Sequence, residues 1–175
     1  VRANTERPQF TVTAIQPSAG ATISASSSVA YYNDTINLSS NVQTGYVFDS
    51  WNVTDENGTT VTVTGNTFRM PMSNVTVRAN INHPLYNLTV VQPSAGGTIA
   101  ASSQTAYYGD TINLTSNIQT GYRFNNWNVT TAGGQTVSVT NNSFTMPASN
   151  VNIRANITHV VYSVNVIQPP RSEER

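Results

Sequence analysis

Gly121-Tyr-Arg-Phe-Asn-Asn-Trp-Asn-Val-Thr130 is the stretch that decides the fold, and it has an earlier copy, Gly45-Tyr-Val-Phe-Asp-Ser-Trp-Asn-Val-Thr54. In each copy a turn glycine launches a strand that carries three aromatic rings and a valine. Tyr122 and Phe124 are two residues apart, as are Trp127 and Val129, so each pair shares a strand face. The step from Phe124 to Trp127 is odd. Both pairs reach one core only if an extra residue is absorbed, which predicts a β-bulge at Asn125-Asn126 and at Asp49-Ser50. Large rings bury more apolar surface than any other side chains, so Trp51 and Trp127 are assigned to the cores.

The copies belong to a tandem repeat. Trp51 and Trp127 stand 76 apart, as do Pro17 and Pro93, Asp34 and Asp110, and Met70 and Met146. No insertion breaks the register, and most aligned positions are identical. A fixed period of this length marks an array of small domains, each able to hold a core of its own.

Working outward, the first repeat opens on an alternating strand, Phe10, Val12 and Ala14 on one face, and turns at Gln16 to Gly20. Ile23 and Ala25 mark a second strand, Ile36 and Leu38 a third. After the aromatic strand and a polar loop at Asp55 to Gly58, Val61 and Val63 face inward. Phe68 and Met70 follow, and Pro71 ends that ladder. Val75, Val77, Ala79 and Ile81 close the repeat. The second repeat restates the pattern from Tyr86, Leu88 and Val90 to Val151, Ile153, Ala155 and Ile157. A single helical turn is expected around Asn117 to Thr120, and no longer helix. The expected fold is all-β: two tandem domains of about six strands each, β-grasp-like or sandwich-like, at residues 9–84 and 85–160. Residues 1–8 read as the end strand of a preceding repeat plus linker, because Val1-Arg-Ala-Asn4 matches Val77-Arg-Ala-Asn80. Residues 161–175 read as the first strand of a further repeat, or a donor strand, followed by a charged tail from Arg171.

Composition narrows the function. The chain has no cysteine, and its eight basic residues are all arginine, balanced by eight acids. Disulfides and thiolate metal sites are excluded, and so is a lysine–asparagine isopeptide staple. A neutral balance without a basic stripe argues against nucleic acid, and no segment has the apolar length of a membrane span. Asn, Thr, Ser and Gln build the polar surface instead.

The opening strand, Gly-Gly-Thr-Ile at 96–99, Tyr-Gly-Asp-Thr-Ile-Asn-Leu at 108–114, Gly-Tyr-Arg-Phe-Asn-Asn-Trp at 121–127 and Ser-Phe-Thr-Met-Pro-Ala-Ser-Asn-Val at 143–151 together resemble the divergent B-repeats of internalin-type surface proteins. The resemblance covers both repeats and both flanking fragments. It implies small all-β modules, strung along secreted microbial surface proteins as stalks and adhesive arms, and it brings no catalytic residues. The chain departs from the pattern in lacking lysine and in its load of Asn and Thr.

Catalysis would need a converging acid, base or nucleophile, and the repeated candidates are few. One acid per repeat, Asp34 or Asp110, makes no carboxylate pair and is assigned to organising the turn before a strand. His83 and His159 are junction residues expected to pack on a neighbour, and Arg78 and Arg154 point outward. No enzyme activity, cofactor or metal is expected. Asn-x-Ser/Thr triplets start at Asn33, Asn37, Asn52, Asn57, Asn74, Asn87, Asn113, Asn128, Asn141 and Asn156, and are candidate glycosylation sites of an extracellular surface. The alternation that generates such triplets also turns Asn37, Asn52, Asn113, Asn128 and Asn156 outward. Tyr162, Val164 and Val166 form the apolar face of a candidate subunit-contact strand that pairs with a neighbouring copy, head to tail, in a donor-strand filament. The expected role is a structural repeat module of a cell-surface appendage, a filament subunit or adhesin stalk, whose partners are copies of itself, adjoining repeats, or a host-surface or glycan ligand. The alternative is a carbohydrate-binding module using Tyr31/Tyr32 and Tyr107/Tyr108, with one ring of each doublet exposed.

Overall fold

The computed structural model describes residues 6–168 and is all-β there. The expected end strand at Val1–Asn4 and the charged tail from Arg171 lie outside the described residues. The chain divides into two compact units; the main break falls between Tyr86 and Asn87, and the short segments Thr105–Asp110 and Met146–Ala148 group with the first unit.

The first repeat has eight strands: β1 (Gln9–Ala14), β2 (Ala21–Ala25), β3 (Val29–Tyr31), β4 (Thr35–Val42), β5 (Val47–Asp55), β6 (Val63–Thr64), β7 (Thr67–Arg69) and β8 (Val75–Asn82). They form two four-stranded sheets, β3-β1-β8-β5 and β2-β4-β7-β6. The sandwich-like alternative is therefore the one adopted. Its core holds Val12, Ala30, Val53, Val75 and Val77 from one sheet, and Ile23, Ile36, Leu38, Phe68 and the adjoining Met70 from the other. Period-2 alternation put these residues on one face of each strand, and the two apolar faces cover each other.

The second repeat restates this with β9 (Tyr86–Val90), β10 (Gly97–Ala101), β11 (Thr105–Ala106), β12 (Thr111–Ile118), β13 (Tyr122–Thr131), β14 (Thr136–Val137), β15 (Ser143–Thr145) and β16 (Val151–His159). Every core residue has its counterpart 76 positions on: Leu88, Ile99, Ala106, Ile112, Leu114, Val129, Phe144, Met146, Val151 and Ile153 are all buried. The sheets differ in one detail. Their orders are β11-β9-β16-β13-β14 and β10-β12-β15, because Val137 pairs with Val129 on β13, whereas in the first repeat Val63 pairs with Phe68 on β7. The path is nevertheless shared, since Val61 N–H bonds Val53 O at 2.8 Å and Thr140 bridges Ser143.

The predicted bulges are present. Pairing of β5 with β8 skips Asp49 between Phe48 and Ser50, and pairing of β13 with β16 skips Asn125 between Phe124 and Asn126. Each repeat has eight strands rather than about six; the strands without an expected counterpart are β3 and β11, which are only three and two residues long and carry no periodic signal. The helical turn expected at Asn117 to Thr120 does not form. Strand β12 runs to Ile118, and a β-turn closed by Tyr122 N–H to Gln119 O at 3.1 Å follows. Gly121 takes the left-handed conformation that this turn requires, at φ 86°.

The first and last strands of each repeat lie side by side and run parallel. Val12 faces Val75 and Ala14 faces Val77; Leu88 faces Val151 and Val90 faces Ile153.

Candidate functional site

The polar residues shared by both repeats are mostly spent on building the sandwich. Asp34 Oδ2 accepts the Tyr31 N–H at 2.9 Å, and Asp110 Oδ2 accepts the Tyr107 N–H at 2.8 Å. Each acid thus closes the turn ahead of β4 or β12. Its backbone then pairs with the core methionine: Met70 N–H bonds Asp34 O at 2.9 Å and Met146 N–H bonds Asp110 O at 2.8 Å. Among the described residues no group of three His, Cys, Asp or Glu is placed to hold a metal ion.

Trp51 and Trp127 depart from their assignment. Both remain half-buried, and Trp51 packs against the core of the first repeat without being enclosed by it. The indole is the cause, since a buried Nε1–H needs an acceptor. Trp51 donates to Asn66 Oδ1 at 3.0 Å and Trp127 to Asn142 Oδ1 at 2.8 Å, which ties each ring edge to an exposed turn. Each indole is tilted against Phe48 or Phe124, at 58° and 59°, with centroids 5.0 and 5.1 Å apart. The fully enclosed centre is made instead by Met70, Ile36, Val53 and Val77, and by their copies.

His83 and His159 each pack on a ring of their own repeat, the former stacked on Tyr46 at 4.3 Å and the latter edge-on to Tyr122 at 5.0 Å. Those tyrosines lie on glycine. A Cβ at Gly20 or Gly96 would overlap the Tyr46 or Tyr122 ring, and both glycines have positive φ. Arg78 and Arg154 are exposed on the outer face, opposite Asn52 and Asn128 across the strand pair.

The tyrosine doublets separate differently. Tyr31 is half-buried at the end of β3, with the Arg7 guanidinium 4.6 Å above its ring, while Tyr32 is exposed. In the second doublet both Tyr107 and Tyr108 are exposed. The one-in, one-out expectation fails there because β11 ends at Ala106, so strand alternation no longer governs Tyr107. All ten candidate asparagines are exposed, including the five expected on strand outer faces. Residues Val160–Gln168 belong to no strand, and Tyr162, Val164 and Val166 are 80%, 87% and 80% exposed.

Two pairs of structural residues escaped the sequence reading. Gln16 and Gln92, read as part of a turn, lay their side-chain amides along the outer edge of β2 and β10. Gln16 Nε2 donates to Ile23 O at 2.8 Å and its Oε1 accepts the Ile23 N–H at 2.9 Å; Gln92 does the same to Ile99 at 2.7 and 3.0 Å. Asn74 Oδ1 accepts the Thr11 N–H, and Asn150 Oδ1 the Asn87 N–H, both at 2.8 Å, pinning the first strand to the start of the last. Their identity in both repeats was the available signal.

The profile of one protein family, described as the divergent InlB B-repeat domain, matches the chain twice, at residues 11–83 and 86–160. No curated protein and no solved structure gives a significant match.

Proposed function

Because the chain belongs to the divergent InlB B-repeat family, we propose that it is a non-enzymatic, tension-bearing module of an extracellular surface appendage. The observation that carries this reading is the parallel pairing of terminal strands. The chain enters each repeat through β1 or β9 and leaves through β8 or β16. Tension on the two ends therefore pulls neighbouring parallel strands in opposite directions along their length. The rungs between them are loaded together in shear, whereas adjacent ends of an antiparallel pair would be peeled apart one bond at a time. The rungs span Val12 to Ala14 against Val75 to Val77, with Ile15 N–H to Val77 O at 2.9 Å at one end and the Asn74 side chain at the other. Leu88 to Val90, Val91 and Asn150 repeat the arrangement.

Single-molecule stretching of the chain by its ends tests this. The expected record has two force peaks of similar height, each releasing roughly 250 Å, from 76 residues at about 3.3–3.6 Å apiece. Forced unfolding reports the unfolding barrier, so Asn150→Ala lowers one peak and leaves the other. Gradual lengthening without peaks refutes the reading.

A second reading, head-to-tail assembly by strand addition, is favoured by the segment Val160–Gln168, which belongs to no strand and exposes Tyr162, Val164 and Val166. Its sequence counterparts β1 and β9 each lie between two partners, so that slot is filled in both described repeats. The acceptor must be a free sheet edge or a module lacking its first strand. Residues 1–175 should then associate at high concentration while 9–159 stays monomeric; two monomers remove this reading and leave the first intact.

A further inference from the structure

Comparing the ten Asn-x-Ser/Thr triplets between repeats separates them by what each asparagine does. Asn33 and Asn141 hold positive φ of 69° and 50°, and their counterparts are Gly109 at 90° and Gly65 at 60°. At these positions the backbone conformation is what is kept, and Asn and Gly are the residues that adopt it. Asn57 sits in the Asp55–Gly58 turn and its counterpart is also glycine, Gly133. Asn87 exchanges with Thr11 on an exposed strand face.

A second group keeps the asparagine and loses the hydroxyl. Asn74 and Asn150 both pin a strand, yet only Asn74 is followed by Thr at the third position, since residue 152 is Asn. Asn156 Nδ2 donates to Asn126 Oδ1 at 2.6 Å, and its counterpart Asn80 donates to Ser50 Oγ at 2.9 Å, with Asn82 in place of the Thr. The amide does structural work, and the triplet around it is incidental.

Only Asn37/Asn113 and Asn52/Asn128 keep the whole triplet in both copies, and they are the pairs with no such work. Among the described residues their side chains make no hydrogen bond, all four are exposed, and all lie within strands rather than turns. Nearby surface positions of β5 have drifted: Val47, Asp49 and Ser50 correspond to Arg123, Asn125 and Asn126. Asn52 and Thr54 have not. Where the Asn37 triplet did change, Ser39 became Thr115, the one exchange that preserves the hydroxyl.

We propose that Asn37, Asn52, Asn113 and Asn128 are the N-glycan attachment sites of this protein, an inference that rests on the extracellular reading above. The donor is an oligosaccharide on a polyprenyl phosphate or diphosphate, handled by a membrane-bound transferase. Asparagine Nδ2 bonds the anomeric carbon and gives up one proton to the transferase's base, while the bond from that carbon to phosphate oxygen breaks and the lipid phosphate leaves. Asn37 and Asn113 lie on the outer face of one sheet, Asn52 and Asn128 on that of the other. Each repeat would thus carry one glycan per face, a bound hydrated coat on a surface with few charges.

The test is peptide mapping by mass spectrometry of protein recovered from the outside of its own host cells. Glycan mass is expected at these four positions. Bare asparagine at all four, or glycans confined to the other six, overturns the inference while leaving the surface reading standing; protein found only in the cytoplasm overturns both. A second arm uses unglycosylated chain. Gln at all four positions should leave Tm unchanged, whereas Asn74→Gln and Asn150→Gln should lower it. An equal loss from the fourfold variant shows that those asparagines were kept for structure, and the inference falls.

Discussion

Replacing Gln92 by Ala removes two hydrogen bonds at once, and both end on the backbone of one residue, Ile99. Ile99 lies on β10, whose other side pairs with β12 across from Ser116. The Gln92 amide thus acts as a one-residue strand on the free edge of β10. A typical internal hydrogen bond contributes about 0.5–1.5 kcal/mol net, so the pair should contribute about 1–3 kcal/mol. The site is part-buried, and truncation admits water to the exposed N–H and C=O, which keeps the loss within that range. For a domain of this size a loss of that order lowers Tm by roughly 4–24 °C. One tryptophan per repeat gives the assay its resolution: in a Trp51→Phe background, fluorescence of Trp127 reports the second repeat alone. Hydrogen exchange at the Ile99 amide should speed up in the same variant. Gln92→Glu separates bonding from packing, because it keeps the acceptor for Ile99 N–H but turns a carboxylate oxygen toward Ile99 O. It should destabilise at least as much as Ala. If Gln92→Ala stays within about 0.5 kcal/mol of wild type, or Gln92→Glu is silent, the edge-capping argument is wrong.

Met146→Ala empties the most enclosed part of the second core, where Met146 is 0% exposed, and should cost about 2–5 kcal/mol in chemical denaturation. Trp127→Ala should cost about 2–4 kcal/mol, short of a fully buried ring, while Asn142→Gly, which keeps the left-handed backbone at φ 56°, should cost about 1 kcal/mol by freeing the indole N–H; equal effects would place the Trp contribution in the bond rather than in packing. Gly96→Ala forces a methyl into the Tyr122 ring at φ 88°, whereas Gly134→Ala at φ 80° meets open space. Calorimetry should therefore show a clearly larger Tm loss for Gly96→Ala, and equal losses would refute the ring-on-glycine seat.

Pattern along the chain was enough for the all-β class, the repeat and the aliphatic part of the core. Alternation along Ile36-Asn-Leu38 or Val75-Thr-Val77 has one solution in a half-buried strand, so burial followed from pattern alone. The bulge followed too, because an odd step between Phe124 and Trp127 leaves one geometric remedy. Pairing was decided elsewhere. Nothing local in Phe10 to Ala14 says that its neighbour is Val75 to Val77, more than 60 residues on, or that the two run parallel. That is settled by which sheet edges remain once the local hairpins have formed. Trp127 shows the same divide on a smaller scale: its size pointed inward, but its Nε1–H had to find Asn142, a partner only the folded turn supplies. Gln92 was invisible for a related reason, since a polar side chain after a strand reads as turn until the strand it completes is beside it. For Asn37 and Asn52 the sequence supplied the triplets, and the structure supplied what told them apart. A side chain's lack of structural work can be seen only once every bond around it has been placed.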